Sequence, residues 1–265
     1  LKSIIPDYVT MKFNTALGLV LSGCALYLLV YRNNKHGLRL SNIFALSVLI
    51  IGGLTLLQGL FGFNFKIDQL FIHDLDSIAA NHPVPGRMSQ LSAVCFTLLG
   101  LSLLLIQKRD RTQRIIGQVL LDIVTLLSFI AIMGYLYNVP TFYKLSFLTS
   151  MAIHTALSFL ILAVTASFLN PTLGITSLFT GTKIGNKMAR ALFGQLIILI
   201  LVLTYLRVQI HRTQSISVDF GILLFALSFI LVSLFLIWRT SRMLNRLESN
   251  KYEVEGNLLK VSAFL

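Results

Sequence analysis

The sequence predicts an all-α integral membrane protein with seven transmembrane helices, built as three repeated hairpins plus an exit helix that continues into a cytoplasmic stalk. Three observations predict it: the composition, the length of the apolar runs and a motif that opens three of them. Of the 265 residues, 55% are hydrophobic and only 12% are charged, with a mean hydropathy of +0.81. A soluble domain of this size needs far more charge to cover its surface. A helix needs roughly 20 mostly apolar residues to cross a bilayer core of about 30 Å. Several runs reach that length.

Taken in order, the spans are expected at about 13–31, 40–61, 89–107, 115–137, 145–168, 190–210 and 219–238. Lys and Arg orient them, because cytoplasmic loops carry the excess of positive charge. One set of connections, with the tail, holds fifteen Lys and Arg residues, including Lys108, Arg109, Arg111, Arg114 and Arg239. The other holds seven, including Lys66, Arg87 and Arg207. The tail is therefore expected in the cytoplasm and the N-terminus outside. The net charge of +12 is topogenic in this reading and points to no nucleic-acid partner. Cys24 and Cys95 lie inside apolar runs with no metal or redox spacing,. The chain begins at Leu1, so its natural start is expected to lie upstream, and the first run has no cleavage site behind it,.

The longest outer connection, 62–88, repeats Ile67, Leu70, Phe71, Leu75 and Ile78 at helical spacing. It is expected to form a short amphipathic helix on the membrane, with Asp68, Asp74 and Asp76 on its other faces. Its two histidines, His73 and His82, do not have metal-ligand spacing,.

The repeat is visible in three openings: Met11-Lys-Phe-Asn14-Thr15-Ala16, Met88-Ser-Gln-Leu91-Ser92-Ala93 and Met151-Ala-Ile-His154-Thr155-Ala156. Each is followed by an apolar run and, 45, 44 and 51 residues after its Thr or Ser, by Leu60, Leu136 and Leu206. Repeat units are expected at about 9–62, 86–138 and 146–210, with the exit helix at 219–238 closing a membrane domain of residues 1–238. Thr, Ser and Ala at one depth allow close packing and hydrogen bonds between helices.

Polar groups at membrane depth raise functional hypotheses. Asp122 lies about eight residues inside the fourth span, roughly 12 Å from its inner end at 1.5 Å per residue. His154 lies about ten residues inside the fifth, roughly 15 Å from its outer end. The two are expected at nearly one depth, facing the bundle interior. Gln118 shares the Asp122 face, Asn14 takes the His154 position in the first repeat, and Thr155 follows His154. Two readings fit this set: a ligand-binding or proton-sensing centre, or a buried hydrogen bond that only fixes packing. An outer cluster comprises Gln58, Tyr205 and Arg207, with Asp219 opening the last span. Tyr at that level is ordinarily a membrane belt. Arg207 and Asp219 are expected to form a local ion pair.

Span seven has no lysine for a retinal Schiff base. Only His154 is at haem-ligating depth, and no nucleotide, hydrolase or zinc-protease motif occurs,. No catalytic residue, metal site or cofactor is expected in residues 1–265.

After Trp238 the chain turns polar. Leu244, Lys251, Leu258 and Leu265 are seven apart, and Leu247, Val254 and Val261 lie three after each of the first three. This heptad seam predicts a dimeric coiled-coil stalk over 239–265, with Gly256 as a hinge or the end of its first helix. A stalk of this kind is expected to lead to an output region beyond Leu265.

The openings MKFNTALGLVLSG, MSQLSAVCFTLLG and MAIHTALSFLILA, the loop FGFNFKIDQLF and the exit WRTSRMLNRLE resemble the multi-span N-terminal sensor regions of bacterial PAS-containing histidine kinases, including hybrid ones, and of diguanylate cyclases. The tail EVEGNLLKVSAFL is similar to the lead-in helix of a PAS domain in such kinases. The resemblance covers nearly the whole chain. It implies a homodimeric signal-input module in the bacterial inner membrane, in contact with membrane lipid, responding to an unknown small-molecule cue and feeding PAS and output domains. A diguanylate cyclase output, or a small-molecule carrier or channel, is the alternative.

Overall fold

The regular structure among the described residues is all helical. A computed structural model describes residues 10–31, 35–70, 72, 74, 84–137, 151–212 and 218–262, with the backbone alone for 211–212, 218–220 and 246–262. No strand occurs among these residues. The helices are α1 (Phe13–Val30), α2 (Lys35–Phe61), α3 (Gln90–Leu105), α4 (Arg111–Leu136), α5 (Ile153–Ser167), the short α6 (Thr176–Thr180), α7 (Ile184–Arg212) and α8 (Val218–Ser262). Five of them, α1, α2, α4, α7 and α8, are long and apolar enough to cross a membrane. The other two apolar helices are shorter. At 1.5 Å per residue, α3 and α5, with 16 and 15 residues, reach only about 24 and 22 Å.

The chain divides into two compact units, Leu1–Thr176 and Ser177–Leu265. The division falls between α5 and α7, the two helices of the third expected hairpin.

In the first unit α3 is the hub, packing against α1, α2, α4 and α5. Small residues let the backbones approach. A Cβ on Gly100 of α3 would lie 2.7 Å from the Leu49 amide nitrogen, and one on Gly52 of α2 would lie 2.8 Å from the Thr97 amide nitrogen. The Phe96 ring covers Gly18 of α1 and meets Phe159 of α5 edge-on, centroids 4.6 Å apart. Both rings are fully buried.

Hydroxyls in these apolar helices need acceptors where water is excluded. Most return to the carbonyl one turn back, as Ser22 does to Gly18 and Thr97 to Ala93. Two cross between helices: Ser41 of α2 donates to the Ala25 carbonyl at 2.9 Å, and Ser102 of α3 to the Gly117 carbonyl at 2.8 Å.

The three repeated openings start their helices in one register. The N-caps are Lys12, Ser89 and Ala152, each the residue after the motif Met, and all three are extended, with ψ of 154°, 147° and 145°. In each, the amide of the motif alanine bonds the N-cap carbonyl: Ala16 to Lys12, Ala93 to Ser89, Ala156 to Ala152. Thr15, Ser92 and Thr155 are all buried.

In the second unit α7 and α8 pack along each other. Thr240 donates to Gln195 across the pair at 3.2 Å. Arg242 lies over the Trp238 ring, 4.1 Å from its centroid. Helix α8 is continuous for 45 residues. It runs through Gly256 unbroken, so the expected hinge there is absent: intrahelical hydrogen bonds hold the glycine in helical geometry. Ile67–Gln69 forms only a 3-10 turn, and Ile72 and Asp74 are not helical. The expected amphipathic helix of the 62–88 loop is therefore not seen among the described residues.

Candidate functional site

The densest polar cluster lies where the 62–88 loop meets the ends of α1, α2 and α3. Its centre is Asp68, in the 3-10 turn. Lys66 just before the turn has a left-handed φ of 57°, sparsely allowed for a residue with a side chain. The turn directs Asp68 inward, and its side chain is 6% exposed. Periodicity places this carboxylate on a polar face of a surface helix. The 3-10 turn over Ile67–Gln69 buries it instead.

One oxygen of Asp68 accepts twice: from Nε2 of Gln58, near the end of α2, at 3.1 Å, and from Nε of Arg87, at the entry to α3, at 3.0 Å. The Asp68–Arg87 pairing offsets part of the cost of burying both charges. Gly86 makes the approach possible. Its φ is +77° and a Cβ there would lie 2.7 Å from the Asp68 carbonyl oxygen, so only glycine fits. From α1, Asn14 donates to the Ile67 carbonyl at 3.0 Å. Lys12 pairs with Asp74 at 2.6 Å. Gln69 donates to the Pro85 carbonyl at 3.2 Å.

Two acceptors are left over. The second oxygen of Asp68 and Oε1 of Gln58 are buried with no hydrogen-bond partner among the described residues. Gln58 itself is fully buried. Buried acceptors without donors are costly, and such a pair suits a cation or a group bearing N–H or O–H.

The expected His154 centre is divided in the structure. Helix α5 starts at Ile153, with Ala152 as its extended N-cap. His154 is thus the second residue of the helix rather than ten residues inside a span; residues 145–150 of the expected span lie outside the described residues. Both ring nitrogens of His154 are buried without a partner among the described residues. Thr155 beside it is buried.

Asp122 sits at the other end of α5. Its carboxylate lies against the segment after that helix, with Oδ2 3.4 Å from where a Cβ on Gly174 would be. Gln118, on the same face, donates to the Thr176 hydroxyl at 2.8 Å. Gly174, at φ +58°, fits against the Gln118 side chain, where a Cβ would lie 2.4 Å from Cγ. The rest of α5 beyond His154 separates these contacts from it by about 20 Å. Asp122 and His154 are therefore not a pair, and the expectation of one depth is corrected. Gln118 and Asp122 instead latch the 174–176 segment onto α4.

Of the expected outer cluster, Gln58 belongs to the Asp68 site. Tyr205 of α7 is half exposed, and the Arg207 guanidinium lies against Gly221 of α8, 2.8 Å from where a Cβ would be. The side chain of Asp219 lies outside the described residues. In the stalk Leu244 is buried. The side chains of Leu247, Lys251, Val254, Leu258 and Val261, and Leu265 entirely, lie outside them too.

Asp68 and Arg87 were absent from the expected site. The signal for them was present: an aspartate ten residues after Gln58 and an arginine following Pro85-Gly86, in a loop too long to be a simple turn. Among the described residues no three His, Cys, Asp or Glu side chains converge on a possible metal position. No protein-family model, curated protein or solved structure matches the chain.

Proposed function

We propose that the chain is the transmembrane signal-input module of a bacterial sensor histidine kinase. In this reading all seven apolar helices cross the inner membrane, with the N-terminus outside and the C-terminus cytoplasmic. The cue is read on the outer side, where the Asp68 cluster ties the 62–88 loop to α1, α2 and α3. A cue alters signalling only by binding two states of the bundle with different affinity, and unsatisfied acceptors give it something to bind. The response leaves through α8, which pairs with a second copy along the heptad seam to drive PAS and kinase domains.

The observation that carries the reading is the continuity of α8. One 45-residue helix holds both the apolar stretch Gly221–Asn245 and the charged tail, so a displacement at one end has no joint in which to be lost. The test is autophosphorylation of the full-length protein with and without residues 1–238. The sensor reading expects the deletion to fix activity at one level; regulation that survives it would defeat the reading. Orientation is checked separately, by fluorescence of green fluorescent protein fused after Leu265. A dark fusion that is nonetheless inserted would place the tail outside.

A further inference from the structure

At the opposite end of the first unit from Asp68, the connections α3–α4 and α5–α6 border an open cleft of ≈ 400 Å³. Lys108, Arg109 and Arg114 line it, and no carboxylate does. Among the described residues none of these three cations has an ion-pair partner. The nearest acid in sequence, Asp110, is engaged as the N-cap of α4 and accepts from the Thr112 and Gln113 amides.

The wall is built rather than loose. Asn170 donates to the Ile106 carbonyl at 2.9 Å. Gln107 donates to Asn42 of α2 and to the Leu103 carbonyl. Nε of Arg114 is buried and has no hydrogen-bond partner among the described residues, an expensive condition for a cationic donor. Leu29, Ile106 and Leu169 complete the lining, so the cations stand beside an apolar wall.

Three cations, an unused guanidinium donor and no competing acid select an anion with several acceptor oxygens. Arginine forks match phosphate oxygens in geometry. Basic pockets at the cytoplasmic ends of membrane helices take phosphorylated headgroups. We propose that this cleft binds a phosphate-bearing anion. A phospholipid headgroup is the source that suits the apolar wall; a soluble phosphate is the other source of the same chemistry.

The test is native mass spectrometry of the intact chain in detergent. Phosphatidylglycerol is compared with diacylglycerol, which keeps the acyl chains and lacks the phosphate, and inorganic phosphate is titrated in parallel. Retention of phosphatidylglycerol over diacylglycerol supports a lipid phosphate. Inorganic phosphate that binds alone and displaces phosphatidylglycerol supports the site with a soluble source. Loss of a charge-assisted contact lowers affinity by about tenfold, which is expected for both Arg114→Gln and Arg109→Gln. Arg109 is exposed, so its variant carries little risk to folding. Arg111→Gln, also exposed and outside the cleft lining, is expected to change nothing. Equal retention of the two lipids without phosphate binding, or an equal loss in Arg111→Gln, overturns the proposal.

Discussion

The two compact units satisfy their apolar side chains differently. In the first, α3 lies among four neighbours, and Phe96, Leu99, Leu103, Leu121 and Phe159 are buried. In the second, the buried residues among the described side chains are Gly221, Thr240 and Leu244, while Ile198 and Leu231 are 64% and 67% exposed. The first unit is specified by protein against protein: glycines at crossings, hydroxyls donating across helices, a buried ion pair. The second has two long helices whose apolar stretches, Ile184–Ile210 and Gly221–Asn245, are almost wholly unburied, which suits lipid or a further protein surface. Substitutions should therefore be felt sharply in one unit and weakly in the other.

The largest expected effect is at the ion pair. Arg87→Leu strands the buried Asp68 carboxylate and should cost about 3–5 kcal/mol, while the double variant Asp68→Leu/Arg87→Leu should recover most of that loss. Cys95 is fully buried, so a thiol-reactive dye in a Cys24→Ser background reports the thermal midpoint. Gly100→Val comes next. Over-packing costs about 1–3 kcal/mol, and here the obstacle is the backbone of Leu49 and Ala45, which favours the upper end. The same dye measures it. Gln118→Leu removes the donor to Thr176 and should cost about 1 kcal/mol, with limited proteolysis between α5 and α6 as a local readout. Smallest is Gly194→Ala in α7, where a Cβ meets nothing within 4 Å. It should change stability by less than about 1 kcal/mol, in the stabilising direction. A cost equal to that of Gly100→Val would mean that this face of α7 is packed after all.

The helices were legible because they rest on apolar run length. Expected spans at 13–31, 89–107 and 115–137 meet helices at Phe13–Val30, Gln90–Leu105 and Arg111–Leu136. The opening motifs coincide with helix starts in the structure, with Lys12, Ser89 and Ala152 at one position in them, although the expected span at the third opening begins earlier, at about residue 145. What sequence could not give was depth and direction. His154 was misplaced because an apolar stretch before Ile153 looks like helix whether or not its backbone is helical. Asp68 was misplaced because helical spacing assigns a face only if a helix forms, and a single left-handed residue, Lys66, was enough to turn the carboxylate inward. The Gln118–Thr176 contact joins residues 58 apart, a distance over which spacing carries no information.

Helix α8 also fixes an angle. Each residue of an α-helix turns the chain by about 100° and advances it by 1.5 Å. Positions 244 and 262, eighteen residues apart on the unbroken helix, therefore share one bearing about its axis after five full turns. Inserting one residue between them would swing everything beyond by about 100°, whereas inserting seven would restore the bearing to within about 20°. The tail behaves as a compass needle, and its heading is set by a count of residues.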